Sequence, residues 1–78
     1  MAGIDENLTF YPLGIAVLTI SDTRDEVTDT SGALLVERLT SAGHILIDRA
    51  IVRDDIEEIQ KSLQRWITNE KIEIILTT

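Results

Sequence analysis

Three short polar segments carry the residue types that could do chemistry: Ser21-Asp22 followed by Asp29-Thr30-Ser31-Gly32, then Arg53-Asp54-Asp55, then Thr77-Thr78. Asp22 and Asp29 offer hard carboxylate oxygens, suited to magnesium or to hydrogen bonding. Ser31 and Gly32, at the start of a helix, would present backbone amides that can cradle an anion. A plainer use is open for each. Asp29-Thr30-Ser31-Gly32 also makes a good helix cap, and Ser21-Asp22 a good turn. Asp54 and Asp55 either cap the following helix and complement its dipole, or place a carboxylate to hold magnesium or assist an attacking phosphate. Asp54 and Glu57 have the spacing of a capping box.

The elements that must position these segments follow from the apolar pattern. Residues 15–20, Ile-Ala-Val-Leu-Thr-Ile, are uncharged and rich in β-branched side chains, as suits a strand buried on both faces of a parallel sheet. A polar loop over 21–29 leads to a helix beginning near Thr30, with Asp29 or Thr30 as N-cap and with Leu35, Leu39 and Ala42 on one face. Gly43 is placed to cap its end, where positive φ costs glycine nothing. A second strand over 45–52 is interrupted by Asp48 and Arg49, which predicts a position nearer an edge. Ile56, Ile59, Leu63, Trp66 and Ile67 then form one apolar stripe of a second helix, ended near Asn69, and residues 72–77 make a third strand. Right-handed crossovers make the three strands parallel. With the first strand central, the helices cover opposite faces, and Ser21-Asp22 lies beside Thr77-Thr78 at the carboxyl end, where open α/β sheets bind ligands. The sequence divides into a polar extension over 1–13, whose Phe10, Tyr11 and Pro12 suit either an anchor onto apolar surface or packing on a neighbouring subunit, and one domain over 14–78. A buried parallel strand is a poor terminus, so the domain is expected to be the N-terminal part of a longer one.

Composition narrows the function. Seven Lys and Arg against 14 Asp and Glu give a net charge of −7, which disfavours nonspecific binding to nucleic acid or anionic membranes. The absence of cysteine rules out disulfides and thiol catalysis, and the single His44, at the far end of the sheet, rules out a histidine-rich metal site. There is no apolar run of membrane-spanning length and no signal-like N-terminus, so a cytoplasmic protein is expected. No Gly-x-Gly-x-x-Gly or Walker loop is present.

Four runs together resemble the MoaB/Mog family of molybdenum cofactor biosynthesis proteins: Ile15-Ala-Val-Leu-Thr-Ile-Ser-Asp-Thr-Arg, Asp29-Thr-Ser-Gly32, Ala50-Ile-Val-Arg-Asp-Asp55 and Ile74-Ile-Leu-Thr-Thr78. The resemblance covers 14–78, and its Thr-Arg after Ser-Asp is closer to the MoaB branch. It implies a three-layer α/β/α fold with the first strand central, assembled as homo-trimers or homo-hexamers. It also implies binding of molybdopterin and its adenylylation with Mg-ATP, followed by molybdate insertion at a partner protein. Asp54 matches an aspartate that acts in this reaction with magnesium, together with a second aspartate beyond a Gly-Gly-Thr-Gly loop that follows the Thr-Thr pair in the family. Ser21, Asp22, Asp29, Ser31, Gly32, Thr77 and Thr78 carry over as substrate-binding or pocket-shaping residues. The competing reading is a non-catalytic molybdopterin-binding or scaffolding protein of the same pathway. A flavodoxin-like domain would share the order of elements but explains Asp-Thr-Ser-Gly poorly.

Overall fold

The computed structural model describes residues 11–23 and 28–78, so the expected anchor Phe10 and the loop residues Arg24, Asp25 and Glu26 lie outside the described residues. The chain order is β1 (Gly14–Ile20), α1 (Thr30–Ser41), β2 (Ile45–Val52), α2 (Ile56–Ile67) and β3 (Ile74–Thr77). The strands form a parallel sheet in the order β2-β1-β3, so the first strand is central and the α/β expectation holds. Ile72 and Glu73 precede β3 instead of opening it: the Ile72 amide turns back to the Asn69 carbonyl, and the strand begins two residues later than expected.

Strand alternation splits β1 between two cores. Ile15 and Val17 pack with Leu35, Val36, Leu39, Leu46 and Leu76 under α1. Ala16 and Leu18 pack with Trp66, Ile59, Leu63 and Ile75 under α2. Ala16, Val17, Leu18 and Thr19 are all 0% exposed, which explains a run with no charge. The α2 stripe is narrower than its sequence suggests. Ile59, Leu63 and Trp66 face the sheet, whereas Ile56 and Ile67 are 73% and 74% exposed, on the flank that the sheet does not reach. Burial of the three inward side chains contributes about 1.5–3 kcal/mol each before ordering entropy is subtracted. Ala42, expected on the inner face of α1, is its exposed C-cap residue; Val36 packs inward instead. Gly43, at φ 90°, closes the helix: its amide bonds the Thr40 carbonyl, and the His44 amide bonds the Leu39 carbonyl.

The two charged residues of β2 are accommodated by an irregularity in register. Ile15 pairs with Leu46, but the next residue, Ala16, pairs with Asp48, so Ile47 is an extra residue in β2. This bulge puts Leu46 on the α1 face and Asp48 on the α2 face, and Arg49 then returns to the α1 face beside Val17. Each charge meets a partner there. Asp48 Oδ2 accepts the Trp66 indole N–H at 2.8 Å, and Arg49 reaches Asp29.

Candidate functional site

The N-cap of α1 is Asp29, and its carboxylate is turned inward: the residue is 1% exposed. Oδ1 accepts the Gly32 amide at 3.0 Å, while Oδ2 accepts the Thr19 hydroxyl at 2.7 Å and Arg49 Nη2 at 3.1 Å. Arg49 Nη2 also donates to the Asp29 carbonyl at 3.2 Å. Burial raises the carboxyl pKa, but the hydrogen bonds from Thr19, Gly32 and Arg49, with the guanidinium charge, outweigh it and hold Asp29 below its ordinary value. Gly32 is required by this packing, since a Cβ there would fall on Asp29 Oδ2 and crowd Thr19 Oγ1. Asp29-Thr-Ser-Gly32 is therefore a closed capping unit. The Thr30 amide goes to the Thr28 carbonyl and the Ala33 amide to the Asp29 carbonyl, so of the first-turn amides Ser31 alone has no partner among the described residues. An anion cradle built on the Gly32 amide, one of the uses open to these residue types, is thus closed by Asp29, and Ser31 keeps that capacity.

At the end of β2 the capping work falls one residue later than the sequence spacing suggests. Asp55, not Asp54, is the N-cap of α2, accepting the Glu57 amide at 2.9 Å. Glu58 reaches back to the Arg53 amide at 3.0 Å. The Asp54 carboxylate makes no hydrogen bond or ion pair among the described residues, and the residue is exposed. Its amide donates to Asp22 Oδ1 at 3.2 Å, which joins the loops after β1 and β2. Ser21 extends the same junction: its amide bonds the Val52 carbonyl at 2.8 Å, and its hydroxyl oxygen accepts the Thr23 amide.

On the other side of β1, the Thr78 amide bonds the Leu18 carbonyl and the Ile20 amide bonds the Thr78 carbonyl, which sets Thr78 beside Thr19. An open groove of about 420 Å³ runs between this strand end and α1, lined by Ser31, Leu34, Leu35, Arg38, Thr77 and Thr78. The carboxyl edge of the sheet thus gathers Asp54, Asp22, Ser21, Ser31, Thr77 and Thr78 in loops, strand ends and the first turn of α1, with Asp29 and Gly32 buried beneath them. His44 lies at the opposite end, where Nδ1 accepts the Leu13 amide at 3.0 Å. Among the described residues, no three His, Cys, Asp or Glu side chains are grouped to hold a metal ion. A single open carboxylate such as that of Asp54 would fit magnesium, an ion that usually takes one or two carboxylates and fills the rest of its shell from phosphates and water.

Sequence reasoning passed over Thr19 and Arg49, the two side chains that secure Asp29. Thr19 could have been found from β1 alternation, as the one polar residue on the α1 face of a buried strand. Arg49 could not, because its face depends on the bulge at Ile47.

Among the described residues no helix is long and apolar enough to cross a membrane. Residues 16–78 match the family described as "Probable molybdopterin binding domain". The chain is 38% identical over 69 residues to molybdenum cofactor biosynthesis protein B of Escherichia coli K12, covering 88% of this chain and 41% of that protein. It is 46% identical over 61 residues to the protein of the same name from Bacillus anthracis, covering 78% and 36%. A crystal structure of molybdenum cofactor biosynthesis protein B superposes with a TM-score of 0.82 at 42% identity, over 86% of this chain and 42% of that one. The chain spans about two fifths of the length of these relatives. The family match and the similarity in sequence and fold agree: the chain belongs to the molybdopterin-binding domain family of molybdenum cofactor biosynthesis proteins.

Proposed function

We propose that the protein carrying this chain binds molybdopterin and adenylylates it with Mg-ATP. The observation that carries this reading is the division of labour between two neighbouring acids: Asp55 caps α2, which leaves the Asp54 carboxylate without a partner among the described residues at the carboxyl edge of the sheet. In the reaction an oxygen of the pterin's terminal phosphate attacks the α-phosphorus of ATP. The new phosphoanhydride forms, the bond between the α- and β-phosphates breaks, and pyrophosphate leaves. Asp54 holds the magnesium of Mg-ATP, whose role is to neutralise charge on the phosphates. Ser21, Asp22, Ser31, Thr77 and Thr78 contact substrate, and the buried pair Asp29 and Gly32 shapes the turn that presents Ser31.

In this reading the protein is a cytoplasmic homo-trimer or homo-hexamer, and the adenylylated pterin passes to a molybdate-inserting partner. The exposed Ile56 and Ile67 offer apolar surface for subunit contacts. The test is molybdopterin-dependent release of pyrophosphate from Mg-ATP by the full-length protein, with Asp54→Asn alongside. Loss of turnover with pterin binding retained supports the reading. Pterin binding without turnover in either protein replaces it with a binding or scaffolding role, and absence of pterin binding overturns both.

A further inference from the structure

We propose that Arg49 is a positioning residue for the pterin side of this site, holding the turn that opens α1 and, through it, Ser31; the inference rests on the molybdopterin reading above. Arg49 Nη2 grips Asp29 at two points, the carboxylate at 3.1 Å and the backbone carbonyl at 3.2 Å. The side chain and the peptide of the residue at which the chain bends into the helix are therefore fixed together. Arg49 Nε is buried and makes no hydrogen bond among the described residues, where Asp29 is the group that the guanidinium bonds. Thr19 and Gly32 complete the clamp from β1 and from the helix itself.

Two residues beyond Asp29 stands Ser31, whose amide has no partner among the described residues and which lines the groove with Thr77 and Thr78. A shift of Asp29 moves the first turn of α1 and hence Ser31. It leaves Asp54 in place, because Asp54 hangs from β2 and is tied to Asp22. Taking Ser31 as a contact to the pterin and Asp54 as the contact to Mg-ATP, Arg49 is expected to govern one substrate and not the other. A lysine at this position keeps the charge but lacks the planar fork that meets a carboxylate and a carbonyl together.

The test uses the full-length protein with Arg49→Lys, and Thr19→Val as a second way of loosening the same carboxylate. Titration with molybdopterin reads one substrate, and the KM for ATP at saturating pterin reads the other. Arg49→Lys is expected to raise the molybdopterin Kd about tenfold, the size of effect that follows from losing one well-placed hydrogen bond. The KM for ATP is expected to stay within about twofold, and Gly32 amide exchange to accelerate. Thr19→Val is expected to change the same readouts in the same direction, and decides the matter if Arg49→Lys does not fold. Wild-type pterin affinity in a folded variant, with or without a lowered melting temperature, overturns the proposal and leaves Arg49 a purely structural residue. Failure of the wild-type protein to bind molybdopterin removes the molybdopterin reading itself, a result that the variants are not needed to see.

Discussion

The backbone amide of Asp54 donates to Oδ1 of Asp22 at 3.2 Å, so two acidic residues 32 positions apart are held together by a dipole. The contact leaves the Asp54 carboxylate open while Asp55 beside it caps α2. The two acids should therefore separate cleanly on mutation. Asp55→Ala is expected to cost about 0.5–2 kcal/mol, the usual value of an N-cap, in urea unfolding of the full-length protein. Asp54→Asn is expected to stay within about 0.5 kcal/mol of wild type, as exposed substitutions do, and to abolish adenylyl transfer. A destabilised Asp54→Asn protein would return Asp54 to a structural role.

Gly32 is irreplaceable for a steric reason, since the Asp29 carboxylate occupies the space of a Cβ. Gly32→Ala should force the carboxylate off Thr19 or the helix off the sheet, a loss of about 1–3 kcal/mol typical of overpacking. Chemical denaturation measures this, and an unchanged midpoint would mean that the capping unit is looser than its distances indicate.

Asp29 gives the fold an acid-sensitive element. Its folded-state pKa lies below the ordinary 3.8, because the hydrogen bonds and the guanidinium outweigh the burial that raises it. A depressed carboxylate pKa contributes stability that is fully present above the unfolded value and is lost as pH falls through the folded one. Stability of wild type should thus decline on acidification below about pH 4, and the Asp29→Asn protein, lower at neutral pH, should decline less steeply over the same interval. Parallel curves from urea unfolding across this range would count against an ionised Asp29.

The single tryptophan reports on the opposite face. Trp66 is 1% exposed and its indole N–H is bonded to Asp48 Oδ2 at 2.8 Å. Asp48→Ala leaves that donor buried and unpaired, at an expected cost of about 1–3 kcal/mol, whereas Asp48→Asn retains an acceptor and should cost less. Arg65, 4.0 Å from the same carboxylate and exposed, should matter little on substitution. Denaturation followed by Trp66 fluorescence distinguishes the three.

What the sequence by itself determined is what depends on local pattern. The uncharged β-branched run marked β1 as buried on both faces, Gly43 stopped α1, and the alternation of strands and helices called for a parallel sheet, while the place of β1 between β2 and β3 was implied by the family resemblance and is seen in the sheet. The same order brought Ser21, Asp22, Asp54, Thr77 and Thr78 to one edge. What only the tertiary structure decided depends on register and on which neighbour arrives first. The bulge at Ile47 sends Asp48 to Trp66 and Arg49 to Asp29, and no residue type at Ile47 announces it. The one-residue choice between Asp54 and Asp55 as helix cap goes together with the contact of the Asp54 amide to Asp22, 32 positions away. By residue type Asp29 was open to a ligand's role or a helix cap's, and its burial was not legible, because carboxylates usually face water. Here Thr19, Gly32 and Arg49 supply enough donors to hold one ionised in the interior, and that sum exists only when three distant segments meet.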